Sequence, residues 1–237
     1  MDLSRRGLLG GVMAGAALTA LPVDGPVTAG ADVGGTGCAT RIDWERFLAE
    51  QDLVWQRVPR AWYEGPFLGN GFLATAMYRE PGANAVRFTV DHALVQDHRP
   101  QFGNEWGVAR LPVGRVLLTP VGKITGVDLR LDLWNAELRG KIITDRGELA
   151  VRSFIHAEKS LLHLEVRPSS GEKAFKLEFL ALDAMSPRII REPPPATLPL
   201  NPKPVTRTED GLTLVTQEMV AGGQTATAYR IRKQGRT

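Results

Sequence analysis

Cysteine is nearly absent from this sequence: among 237 residues only Cys38 carries a thiol. A lone cysteine excludes an intramolecular disulfide framework. An excess of one charge is missing too. Lys and Arg number 29 against 26 Asp and Glu, a formal +3, and the basic residues are spread along the chain. No basic stripe marks a nucleic-acid surface, so no nucleic-acid partner is expected. A continuous apolar run of about 20 residues, the length a membrane helix needs, is also lacking. The glycines at 65, 69 and 71 lack the Lys-Ser/Thr ending of a phosphate-binding loop, and no βαβ pattern follows them. No Ser or Cys nucleophile motif occurs. The four histidines, His92, His98, His156 and His163, are not spaced as metal ligands. Neither a metal nor a cofactor is expected.

What is present begins with a targeting pattern. The opening MDLSRRGLLGGVMAGAALTALPV places Arg5 and Arg6 directly before a mildly apolar, Gly/Ala-rich stretch, with small residues Thr28-Ala29-Gly30 after it. This reads as a twin-arginine export signal over residues 1–30. Residues 31–40, rich in glycine, read as a flexible spacer. The folded domain is then expected over 41–237, periplasmic or extracellular, with no membrane span once the signal is removed. The closing GLTLVTQEMVAGGQTATAYRIRKQGRT reads as two strands around Ala221-Gly222-Gly223. Nothing after them closes the hairpin off, so the domain is expected to be truncated on its C-terminal side.

Between these ends, period-two alternation dominates. Val127, Leu129, Leu131 and Leu133 alternate with Asp128, Arg130 and Asp132. Phe175, Leu177 and Phe179 alternate with Lys176 and Glu178, and Leu162, Leu164 and Val166 share one face. Turn signals at Pro81-Gly82, Asp145-Arg146-Gly147 and Ser169-Ser170-Gly171 separate the runs. One helix is expected from Asp43 to about Gln51, capped by Asp43, with Trp44, Phe47 and Leu48 as its apolar stripe. Many short strands with one apolar face predict an all-β fold, a large antiparallel β-sandwich with one short N-terminal helix. Residues 186–210 hold seven prolines and cannot form a central strand. Trp134 is expected to pack in the core.

Candidate binding residues concentrate in DHALVQDHRPQFGNEW, residues 91–106, where acids, histidines, an arginine and aromatics share a loop-like segment. Sugars are held by acids, amides and arginines, with an aromatic face beneath the ring. Asp91, His92, Asp97, His98 and Arg99, with Glu64 and Asn70 upstream, are therefore candidates for the rim of a sugar site. The same segment reads equally as a solvated loop. Glycosidases set two carboxylates across the scissile bond, and spacing along the chain cannot pair Glu64, Asp91, Asp97 or Glu105.

The run WYEGPFLGNGFLATAMY, residues 62–78, resembles the opening of the N-terminal domain of glycoside hydrolase family 95, the α-L-fucosidase-type enzymes. In that motif Ala74 and Glu80 stand in place of glycines, and Val90-Asp91 in place of an Asn-Glu pair. RLPVGRVLLTPVG, the strands from Val127 to Val166 and QEMVAGGQTATAYRIR follow in the family's order, so the similarity runs from about Leu53 to Arg232. The resemblance implies a β-sandwich whose corner turns at Gly69 and Gly71. It also implies an inverting hydrolysis of a terminal sugar by a complete enzyme, whose catalytic residues lie on a following (α/α)6 barrel. No catalytic residue is then expected in this chain. Its partners would be that barrel and a carbohydrate. A free-standing carbohydrate-binding or surface-interaction sandwich is the alternative.

Overall fold

The computed structural model describes residues 42–232. The expected signal with Arg5 and Arg6, the spacer and Cys38 lie outside the described residues.

Among the described residues, thirteen strands form three antiparallel sheets. The first sheet has the order β1 (Leu53–Trp55), β6 (Ile124–Asp132), β7 (Glu137–Thr144), β8 (Gly147–Ile155), β9 (Leu162–Pro168). The second has the order β10 (Lys176–Ala181), β5 (Gly114–Thr119), β4 (Val86–His92), β3 (Leu73–Arg79), β2 (Phe67–Gly69). A third sheet sets β12 (Leu212–Glu218) between β11 (Val205–Glu209) and β13 (Gln224–Tyr229).

The alternation read in the sequence is what packs the first two sheets together. Val127, Leu129 and Leu131 of β6, Leu138 and Ile142 of β7 and Leu149 and Val151 of β8 meet Met77, Val86, Phe88 and Leu118 of the second sheet in one core cluster. Their polar alternates Asp128 and Arg130 are exposed, so one face of each strand carries the hydrophobic gain. Phe88 is fully buried, and cutting it to alanine would cost about 3–5 kcal/mol.

Several local expectations change. Asp43 does cap helix α1 (Trp44–Ala49), accepting from Arg46 N–H at 3.1 Å. No residue of that helix is buried, however, and Trp44 and Phe47 are exposed, edge to face with each other at 5.8 Å. A second, one-turn helix, α2 (Gly103–Trp106), was not legible in the sequence pattern. Trp134 is 48% exposed. It tips the β6–β7 turn, where Asp132 accepts from the Asn135 N–H and side-chain amide, and the turn leaves it no core to enter. The proline-rich stretch is loop and a short 3-10 turn (Pro187–Ile190) until its last proline; β11 begins at Val205, on the edge of the third sheet, where ladder donors are dispensable. Among the described residues no helix is long and apolar enough to cross a membrane.

Two fasteners hold the sheets together, at opposite ends of β3. At one end two of the connections between these sheets lie together, first from β5 to β6 and then from β9 to β10. Glu172, fully buried, sits in the second crossing and binds the first. It accepts from Val121 N–H at 2.6 Å, Gly122 N–H at 2.8 Å and the Thr144 hydroxyl at 2.6 Å. Burial pushes its carboxyl up, but the Thr144 hydroxyl, the two N–H groups and the Arg146 charge outweigh that and hold it below the ordinary glutamate range. Asn84 completes this end, donating to the Gly122 carbonyl and accepting from Ile124 N–H.

Candidate functional site

The Gly69-Asn70-Gly71 turn is the fastener at the other end. Only Gly71 needs its glycine for conformation, at φ +91°; Gly69 is the last residue of β2, and a Cβ there would make ordinary contact. Asn70 spends its whole amide on structure. Its Oδ1 accepts from Phe72 and Leu73 N–H at 3.0 and 2.9 Å, and its Nδ2 donates to the His156 and Lys159 carbonyls at 2.9 and 3.1 Å. The β2–β3 turn of one sheet is thus tied to the β8–β9 turn of the other. His92 joins the same end, 3.0 Å from Ser160 Oγ and stacked on Phe72 at 6.2 Å.

Asp97 and Arg99 form a separate, buried clasp. Arg99 donates from Nε to Asp97 Oδ1 at 2.8 Å, from Nη2 to Asp97 Oδ2, and from Nη1 across to the Pro199 carbonyl at 2.7 Å. The Asp97 hydrogen bond raises the Arg99 pKa further, against a smaller opposing effect of burial. Ser186 Oγ donates to the Glu105 carbonyl at 2.9 Å beside it. The clasp ties residues 97–105 to the proline-rich loop and leaves about 10 Å³ free, room for a water molecule at most. His98, between the two, is exposed. Glu64 stands on a 3-10 turn (Trp62–Glu64), accepting from Arg60 N–H at 2.9 Å, while its carbonyl accepts from Trp55 Nε1 at 2.7 Å. The seven rim candidates therefore fall into separate groups rather than one concave site. A shallow cleft of about 570 Å³ lies elsewhere, lined by Arg79, Gly82, Ala83, Asn84, Val121 and Lys123. Among the described residues no three His, Cys, Asp or Glu side chains gather as a metal set.

Asp91 belongs to a different constellation, the outer face of the second sheet. Pairing sets Gly69 beside Ala74 and Ala74 beside Asp91. The next row runs Phe67, Ala76, Thr89, Arg115 and Leu180, with Ala76 N–H donating to Thr89 Oγ1 at 3.0 Å. A third row runs Tyr78, Arg87, Leu117 and Glu178. Glu80, just past β3, sets its Oε2 2.7 Å from Arg87 Nε and 3.5 Å from Arg115 Nε, with side chains only 13%, 16% and 24% exposed respectively. Arg87 also lies over the Tyr78 ring at 5.0 Å. Partial desolvation pushes the Asp91 carboxyl above the ordinary aspartate range, opposed by a hydrogen bond from Thr89. Tyr78, Glu80, Arg87, Thr89 and Arg115 escaped sequence reasoning. Their signal was present as polar residues at alternate positions of three strands, but which strands adjoin is set by pairing.

No family model matches this chain, and no curated protein matches it.

Proposed function

We propose that the chain is the non-catalytic N-terminal β-sandwich of an exported, α-L-fucosidase-like glycoside hydrolase, supporting a catalytic (α/α)6 barrel encoded outside these residues. The twin arginines Arg5 and Arg6 direct it to the periplasm or beyond, and the complete enzyme removes a terminal sugar with inversion. One observation carries this reading: the Gly-Asn-Gly stretch within the run that opens the resemblance is a cross-sheet fastener, with Asn70 fully committed to it. It is the kind of corner a sandwich domain of that family would open on. The carboxylates support the non-catalytic part. Asp97 and Glu172 are buried in internal hydrogen bonds, and Glu80 lies between two guanidiniums, so none is free to act as one of two acids across a glycosidic bond.

The test is direct. The purified chain should hydrolyse 4-nitrophenyl α-L-fucopyranoside and related aryl glycosides no faster than buffer does, and the genomic sequence should continue past codon 237 into paired helices. Turnover abolished by a single acid-to-alanine change within these residues would overturn the reading. The outer face of the second sheet favours a second reading, a carbohydrate-binding sandwich that works without a barrel.

A further inference from the structure

The geometry points to the outer face of the second sheet, centred on Asp91, Thr89, Arg115 and Phe67, as a binding face for a neutral pyranose ring. This rests on the carbohydrate part of the function proposed above and assigns it a place.

Three features carry it. The floor is low: Gly69, Ala74 and Ala76 adjoin in the pairing of β2, β3 and β4, leaving a strip with no side chain longer than a methyl group. Taller groups border that strip. Phe67 on the edge strand β2 holds an aromatic ring 67% exposed, and Asp91 and the Thr89–Arg115 pair stand on the far side. A pyranose has one apolar C–H face and a rim of hydroxyls, and such a site supplies a ring for the first with an acceptor and donors for the second.

The charges choose among occupants. Glu80, Asp91 and Glu178 balance Arg87, Arg115 and Lys176, which stands two residues before Glu178 on β10, so the face carries no net charge. It offers nothing to the phosphates of a nucleic acid or the headgroups of an anionic membrane. The Glu80 carboxylate also holds Arg87 and Arg115 in place before any ligand arrives, which limits the entropy lost on binding. Asp91 is not held by a cation in this way. Among the described residues no ion pair engages it and the adjoining Thr89 hydroxyl is neutral, so its acceptor capacity remains for hydroxyl groups.

Saturation-transfer NMR on the full chain tests this with methyl α-L-fucopyranoside, methyl β-D-galactopyranoside and, as the anionic comparison, methyl β-D-glucuronide. Saturable transfer to a neutral glycoside is expected, with affinity falling about tenfold or more in Asp91→Asn and in Phe67→Ala, as for loss of one charged hydrogen bond or one ring contact. Arg152→Ala, on the outer face of the first sheet, should bind as the parent does. Unfolding midpoints no lower than the parent's would exclude misfolding. No transfer to either neutral glycoside, preference for the glucuronide, or equal loss in Arg152→Ala would overturn the proposal. So would a dimer in light scattering that Phe67→Ala dissolves, since a second copy would then own the face. A chain that binds a glycoside and also hydrolyses it fails the non-catalytic reading alone. One that neither binds nor hydrolyses fails only the binding face.

Discussion

The outer faces of the two five-stranded sheets are both charged, yet they hold their charges differently. On the first, the cations reach into water: the side chains of Arg139, Arg152 and Arg167 are 53%, 50% and 76% exposed, although Glu137 beneath the first two is covered. Lys141 and Glu148 pair at 2.9 Å, with side chains 39% and 46% exposed. Such pairs are screened and contribute little. On the second sheet, Glu80, Arg87 and Arg115 are all withdrawn from solvent, beside a strip of glycine and alanine and an exposed phenylalanine. The same antiparallel ladder thus presents a solvated charge lattice on one side and a drier, pre-formed surface on the other. Charge composition alone does not separate them; the degree of desolvation does.

Both faces are lost if the sheets part, and Glu172 resists this together with the Asn70 turn and the shared core. Glu172→Ala leaves two backbone N–H groups without their acceptor and the Thr144 hydroxyl with only the Gly147 carbonyl at 3.2 Å, and should destabilise by about 3 kcal/mol in urea unfolding. The parent should show the matching acid dependence. Because the folded carboxyl lies below its unfolded value, its contribution is complete above the ordinary glutamate range and is lost as pH falls through the folded value. Glu172→Gln should flatten that part of the stability–pH curve; an unaltered curve would mean the carboxylate is not what holds the crossings.

The two faces themselves are set against each other by Glu80→Ala and Glu148→Ala. Removing Glu80 strands two half-buried guanidiniums and should cost about 2 kcal/mol, whereas removing Glu148 should cost no more than about 0.5 kcal/mol. Equal losses in denaturant melts would erase the distinction between the faces.

Asn70→Ala acts at the opposite end from Glu172. Four hydrogen bonds go, in a partly solvated corner, and the loss should be about 1.5 kcal/mol, with amide exchange quickening at Phe72 and Leu73. Protection retained at both amides would show that the turn closes without the side chain.

The smallest effect has the opposite sign. Asp91 has a folded pKa raised by desolvation, so the folded state takes up protons more readily and gains stability as pH falls through that value. Asp91→Asn should therefore raise neutral-pH stability by a few tenths of a kcal/mol, solvent at the exposed tip screening the rest. A net destabilisation would mark Asp91 as structural and remove it from the binding face.

Much of the fold could be read locally. The alternation of Val127, Leu129 and Leu131, the Asp43 cap and the turn at Asp145-Arg146 each depend on residues a few positions apart, because the pleat and the helix turn fix their periods within the chain itself. Trp44, Phe47 and Trp134 show where local reading stops: a large ring is buried only if an element arrives to cover it, and among the described residues none does. Candidate chemistry was legible as residue types and little more. Asn70 finds its partners 86 and 89 residues away, Arg99 reaches Pro199, and Glu80 meets Arg115 only because β4 lies between β3 and β5. Which residues alternate and where the chain turns follow from backbone geometry over a few residues, and are written in the chain directly. Which polar groups are consumed as fasteners and which stand together on a face depends on the folded arrangement, because strand order and sheet packing bring together groups that no local period relates.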